Sequence, residues 1–153
     1  MNRLKTKKQG SKLLERRTIK RKKIIKQYFD SWVNKDINII ERHFSQNIKY
    51  IECYGPEYNG KEQIIQWFDD WQRKNNVLQW NIKQFFSQNN TIIVEWFFEC
   101  KTKTDKYSFD GVSIIEFDNS NEIIVIKEFQ SKSEHYFPYS STTMPPFSVP
   151  QCG

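Results

Sequence analysis

Asn47-Ile48-Lys49-Tyr50-Ile51-Glu52-Cys53-Tyr54-Gly55-Pro56 is the stretch that decides the fold. Residues 47–54 read as a first strand, and Gly55-Pro56 ends it. In an extended chain Tyr50, Glu52 and Tyr54 share one face. If that face points inward, Glu52 is a carboxylate desolvated between two aromatic rings, with a pKa raised toward the range of a general base. If it points outward, Glu52 is a solvated residue near a strand end.

Helices precede this strand. The apolar stripe Ile25, Tyr28, Phe29 and Trp32 has a spacing near 3.6 and predicts a helix that begins between Ser11 and Thr18 and runs to Val33. Asn34-Lys35 breaks it, and Asp36 is placed to N-cap a second, short helix with Ile37, Ile40 and Phe44 on its buried face. After the first strand, Asn59-Gly60 leads into a third helix over 61–73, with Ile64, Ile65, Phe68 and Trp71 on one apolar face. Four strands follow, over 78–86, 91–101, 107–117 and 122–131, separated by turn formers at Asn89-Asn90, Lys103-Thr104-Asp105 and 118–121. Helices first and a strand meander afterwards predict an α+β domain with a twisted, mostly antiparallel sheet.

Composition bounds the rest. The chain has 153 residues, enough for one domain with a real core, and aromatics make up 16% of it. No apolar stretch is long enough to span a bilayer, and no apolar segment with a cleavage site follows the charged N-terminus. The three cysteines, Cys53, Cys100 and Cys152, match no zinc or redox spacing and read as reduced thiols of a cytoplasmic protein. Residues 1–26 carry a net charge of +11 and the remainder −5, so the basicity of the chain belongs to an N-terminal arm. The expected organisation is a basic, flexible arm over 1–17, a domain over 18–139 and a Pro/Ser-rich tail over 140–153.

Several short motifs occur in a telling order: Trp32-Val33-Asn34-Lys35-Asp36, Phe44, Tyr58-Asn59-Gly60-Lys61 before Ile64 and Phe68, Val94-Glu95-Trp96, Phe109-Asp110-Gly111 and Lys127-Glu128-Phe129. With the element order, they make residues 24–139 resemble the nuclear transport factor two-like superfamily, in particular its SnoaL-like branch. The resemblance implies a curved sheet wrapped on N-terminal helices to form a cone-shaped pocket, and a homodimer through the sheet. Laid along ketosteroid isomerase, one enzyme of this fold, the chain puts Tyr28 at the oxyanion-stabilising tyrosine and Glu52 at the general base. Ser113 then stands at the second oxyanion donor, an aspartic acid in that enzyme. Serine can donate a hydrogen bond there but cannot act as the carboxylic acid, which counts against steroid isomerisation itself.

Around these three, Trp32, Tyr50, Tyr54, Phe68, Trp71 and Ile126 are expected to line the pocket. Glu128 shares a mainly apolar face with Ile124 and Ile126, as a pocket acid or half of a salt bridge, and Asp110 and Glu116 are the other acids of the last two strands. His135, after the last strand, stands where the mouth of such a pocket would be and could shuttle a proton, or be an exposed loop residue. His43 reads as surface. Two distant histidines and no clustered glycines argue against a protein-bound metal, a phosphate loop or another cofactor.

Two functions follow as expectations. The first is a cofactor-free isomerase, cyclase or lyase acting on a small apolar or aromatic molecule, with Glu52 as base, Tyr28 and Ser113 on the developing oxyanion, and His135 or Glu128 returning the proton. The second is a non-catalytic ligand-binding or dimerisation module, favoured if the aromatic side chains themselves fill the cone. A third reading gives the work to residues 3–26, whose basic side chains could engage nucleic acid or an anionic surface by counterion release. The arm has no interleaved aromatics for base stacking, and the acidic body opposes a polyanion.

Overall fold

The computed structural model describes residues 2–135 and 137. Its elements are α1 (Asn2–Asn34), α2 (Asn38–His43), β1 (Phe44–Ile51), β2 (Glu57–Asn59), α3 (Lys61–Lys74), β3 (Asn76–Gln88), β4 (Thr91–Lys101), β5 (Lys106–Phe117) and β6 (Ile123–Ser131). The strands form one sheet in the order β2-β1-β6-β5-β4-β3. Every neighbouring pair is antiparallel except β1 and β6, which run parallel. The sheet curves without closing, and α1 packs along β3 while α3 packs on β1 and β2. This is the expected α+β cone. Irregular pairing within β3 and near the end of β5 bends the long strands, as bulges do.

The core forms where the apolar stripes said it would. Ile24, Ile25, Tyr28, Phe29 and Trp32 of α1 and Ile64, Phe68 and Trp71 of α3 are all buried against the inner face of the sheet. Gly60, at φ 90°, gives the entry to α3 a backbone conformation that a side chain would strain, and its N–H donates to the Ile48 carbonyl at 2.7 Å. Gly111 serves packing instead. A Cβ there would lie 2.1 Å from the Trp96 ring, so the absent side chain is the space that lets this indole lie flat on β5.

Four local expectations are corrected. The first helix begins at Asn2, not between Ser11 and Thr18. Lys, Arg, Gln and Leu are good helix formers, and one Gly10 costs only about 1 kcal/mol against alanine. Phe44 opens β1 instead of closing α2, with φ −92° and ψ 137°. Asp36 does not cap α2, whose N-cap is Ile37; its carboxylate accepts the Asn38 N–H one step earlier, at 3.1 Å. The short edge strand β2 was not read at all, because three residues between a Gly-Pro turn and a helix carry no periodicity. Cys53 is a free thiol, but Cys100 is disulfide-bonded, so the expectation of reduced thiols does not hold for Cys100. The tail over 140–153 lies outside the described residues.

One buried residue comes from the supposed arm. Arg21 is 1% exposed and reaches across the open end of the sheet. Its Nε and Nη1 donate to the side chains of Asn121 and Asn90 at 2.9 and 3.1 Å, and its Nη2 donates to the Asp118 carbonyl at 2.8 Å. The guanidinium also lies 5.2 Å from the centre of the Phe117 ring. Arg21 therefore ties α1 to the β3–β4 and β5–β6 turns together. No helix among the described residues is long and apolar enough to cross a membrane.

Candidate functional site

The cone closes on a cavity of about 40 Å³. All five tryptophans of the chain, Trp32, Trp67, Trp71, Trp80 and Trp96, line it, with Phe98, Phe109 and Tyr54. Its polar lining is Glu52, Cys53, Glu128 and Gln130. The cone is thus far more filled than the expectation of a hollow domain held. The filling is aromatic: Trp80 stacks on Phe29 with ring centres 4.0 Å apart, Trp67 stacks on Tyr58 at 4.7 Å, and Trp32 packs on Phe68 at 4.6 Å. Beside the cavity, a shallower groove of about 220 Å³ shares Tyr54, Trp67 and Trp71 with it and continues over Tyr58, Asp70 and Lys74.

The two carboxylates meet because β1 and β6 run parallel in register. Tyr50 pairs with Ile126 and Ile51 with Lys127, so the next residues, Glu52 and Glu128, emerge side by side. Glu52, Cys53 and Glu128 each bring a side-chain ligand atom within 4.8 Å of the others. Glu52 follows the last residue of β1 in a tight turn, where its N–H donates to the Pro56 carbonyl and its own carbonyl accepts from Gly55. That turn holds the side chain inward, and Glu52 is 8% exposed.

Behind Glu128 runs a buried chain of hydrogen bonds. Tyr28 Oη donates to Tyr50 Oη at 3.0 Å, and Tyr50 Oη donates to Glu128 Oε1 at 2.8 Å. Ser113 Oγ donates to the same oxygen at 3.1 Å and accepts the Trp96 indole N–H at 2.8 Å. Ser113 faces Glu128 directly across β5 and β6, which fixes its inward orientation.

Burial dominates the ionisation of this cluster. It raises Glu128 to about 7, against the opposing hydrogen bonds from Tyr50 and Ser113. It raises Glu52 well above the usual carboxylate range, and the charge of Glu128 raises it further, offset in part by the Cys53 backbone N–H. Burial and both acids push the Cys53 thiol up to about 12. The hydroxyls of Tyr28 and Tyr50 are raised as well, first by burial and then by Glu128. The physical consequence is a pair of carboxyls that burial biases toward keeping a proton near neutral pH. Of the two, Glu128 has the charged form that receives two side-chain hydrogen bonds, which favours its ionisation over that of Glu52.

The expected site residues divide accordingly. Glu52, Glu128, Trp32, Tyr54 and Trp71 line the cavity. Tyr28, Tyr50 and Ser113 stand one layer back, their hydroxyls committed to one another, to Glu128 and to Trp96, so Tyr28 and Ser113 face Glu128 and not an open oxyanion position. Phe68 and Ile126 belong to the core. His135 is exposed and takes no part in the lining, and His43 is half-buried outside the cluster. Asp110 turns to the outer face, where Lys83 pairs with it at 2.7 Å, and Glu116 is exposed. Trp67, Trp80, Trp96, Phe98 and Phe109 were not foreseen as lining. The signal for three of them was the cross-strand row Trp80–Phe98–Phe109, which needs the β3–β4–β5 register to be seen.

Solved structures share this architecture. A hypothetical protein with a ketosteroid isomerase-like fold from Catenulispora acidiphila, in complex with trimethylamine, superposes with a TM-score of 0.63 at 16% identity, covering 69% of this chain and 83% of that one. An LEH-like epoxide hydrolase of M. tuberculosis gives 0.65 at 10% identity, over 71% and 76% of the two chains. An NTF2-like protein of unknown function from an Exiguobacterium species gives 0.62 at 16% identity, over 72% and 99%. Identities this low establish the fold and nothing finer. No curated protein matches the chain. The SnoaL-like domain model matches residues 25–125, a span that runs from α1 to the start of β6 and holds Glu52 but stops short of Glu128, and the chain belongs to that family.

Proposed function

We propose that the cavity is a cofactor-independent acid–base site for a small molecule, in which Glu128 takes a proton and Glu52 gives one. The observation that carries this reading is the pair of buried carboxylates sharing one aromatic-walled cavity. Two neighbouring acids whose surroundings separate their protonation states are the usual arrangement for moving a proton at neutral pH. Tyr50 and Ser113 position Glu128 and keep its charge, and Tyr28 supports Tyr50. Relative to the expectation from sequence, the base moves from Glu52 to Glu128, because Glu128 alone of the two has side-chain donors. A reactive head of a few non-hydrogen atoms suits the cavity, with the rest of the molecule in the adjoining groove. The small amine held by the Catenulispora relative supports a head of that size.

Exchange of a carbon-bound hydrogen reads this out directly. A panel of small carbonyl compounds bearing neutral, anionic or cationic substituents is incubated with the protein in D₂O and followed by NMR. At least one member is expected to exchange the hydrogen next to its carbonyl, and Glu128→Gln should slow that exchange by about 10²–10⁴-fold, the range of general-base contributions. Infrared spectra supply a control that needs no substrate. A protonated buried carboxyl band should persist at pH 7 in the wild type and vanish in the variant with both Glu52→Gln and Glu128→Gln. Two fully ionised carboxylates at pH 6 would remove the basis of the proposal.

The homodimer through the sheet also finds support. Phe86, Ile93 and Phe129 are exposed on the outer face, where Phe86 pairs with Ile93 and Ile93 with the half-buried Ile114, and Phe129 with Val112. These apolar side chains, interrupted by Glu95 beside Val112 and Lys127 beside Ile114, are a face that an interface could cover. Sedimentation of wild type should give a dimer, and Ile93→Glu a monomer; equal masses for both would dismiss this face.

A further inference from the structure

We propose that the ligand of this cavity is a small organic cation, an alkylated ammonium head seated against the tryptophan wall between the carboxylates of Glu52 and Glu128. The proposal rests on the cavity being a small-molecule site, as argued above, and names the chemistry of the occupant.

The lining carries the inference. Five indoles and two phenyl rings surround one space, and among the described residues no lysine, arginine or histidine lines it. Aromatic faces are electron-rich and attract a cation, most strongly when water is excluded and most of all when the ring is tryptophan. Alkyl groups on the nitrogen are suited to this wall because they contact the rings without hydrogen-bond donors left unmet. The charged groups that face the space are acids: the carboxylates of Glu52 and Glu128, within 4.8 Å of each other, with the Gln130 carbonyl that already receives the Cys53 thiol at 3.5 Å. Among the described residues an anion would meet two acids and no cationic side chain. A neutral molecule could take a hydrogen bond from the Trp32 or Trp80 indole N–H but would gain nothing from the two carboxylates' charge.

Proton bookkeeping follows from the pair. A permanent cation between the carboxylates favours their ionised forms, so a proton kept by the empty pair leaves to solvent on binding, and such a cation is a ligand of the site rather than a substrate of its proton transfer. The other titratable groups facing the pair are Tyr28 from α1, Tyr50 from β1, Cys53 and Tyr54 from the following turn and Tyr58 from β2. Each is raised above its ordinary value, chiefly by burial, so all stay neutral through pH 8. Binding should therefore strengthen as pH rises toward ionisation of the pair, with proton release on binding.

Tetramethylammonium chloride and its neutral, similarly shaped counterpart tert-butanol are the probes, with potassium chloride as the ionic-strength control. Because all five tryptophans line the cavity, their emission reports occupancy. Titration calorimetry in two buffers of different ionisation enthalpy counts the protons released. The expected result is saturable binding of tetramethylammonium that tightens about tenfold from pH 6 to pH 8, releases a proton and is lost in the variant with Glu52→Gln and Glu128→Gln. Tert-butanol should bind at least tenfold more weakly, without pH dependence. Equal or tighter binding of tert-butanol, whose oxygen could accept the otherwise unpartnered Trp80 indole N–H, would overturn the cation while leaving the small-molecule site standing. Saturable binding of zinc chloride with no response to tetramethylammonium would overturn it in favour of a metal. No response to any probe overturns it too, and the infrared measurement then decides separately whether the proton-sharing pair exists.

Discussion

Replacing Arg21 by alanine should destabilise the fold by about 2–3 kcal/mol, a loss that urea denaturation of the two proteins will read. The substitution leaves more than a cavity. The side-chain oxygens of Asn90 and Asn121 and the backbone carbonyl of Asp118 all lose their donor together, and the Phe117 ring loses its cation. The acceptors sit on exposed and half-buried turn residues, so water replaces much of what the guanidinium supplied and each lost bond costs on the order of 0.5–1.5 kcal/mol. Lysine should rescue little, because one ammonium cannot copy a planar fork that serves two turns in different directions. Methionine separates the roles, since it keeps most of the stem and none of the donors. If Arg21→Ala stays within 1 kcal/mol of the wild type, the strut assigned to Arg21 does not hold the two turns.

The second large effect is a fall in stability as pH rises, opposite to the behaviour of a protein held by salt-bridged acids. Glu128 titrates near 7 in the folded chain against an ordinary value of 4.5. Between those values the native state holds a proton that the unfolded state has released, so stability is greatest below about pH 4.5 and declines through pH 7. For Glu128 alone the decline amounts to roughly 3 kcal/mol. Glu52, raised well above its ordinary value by burial and by Glu128, extends the decline to higher pH. His43, lowered mainly by burial, acts in the reverse sense and only toward acid. Denaturant midpoints from pH 5 to 9 should therefore drop for the wild type. They should stay level for the chain with both Glu52→Gln and Glu128→Gln, which becomes the more stable protein at pH 8. A wild-type midpoint that climbs over this range would contradict the burial of the pair.

Both effects concern groups that local sequence describes badly. Arg21 stands in Lys20-Arg21-Lys22-Lys23, where every residue reads alike as part of a basic arm. Only the position of the helix on the sheet distinguishes it, by turning this side chain toward two turns that lie 68 to 100 residues away in sequence. Glu52 was legible as an inward carboxylate because Tyr50, Glu52 and Tyr54 alternate in a short strand bounded by Gly55-Pro56. Glu128 was legible as an acid on an apolar face, but whether that face met a pocket or a salt bridge was open. Their meeting was not legible, since it depends on the parallel pairing of β1 with β6 and on its register.

The sequence by itself determined the order of the longer elements, the faces of α1 and α3 that are buried, and the family resemblance. These follow from periodicity and turn chemistry, which act between residues a few positions apart. Tertiary structure alone decided which face of β1 turns inward and that five tryptophans from two helices and two strands converge on one small cavity. It also decided that Tyr28 and Ser113 stand behind Glu128 rather than beside an open oxyanion position, and that Glu52 and Glu128 lie side by side away from water. Those properties arise from strand pairing and from the removal of water around groups distant in the chain, and both come into being only when the sheet closes over α1.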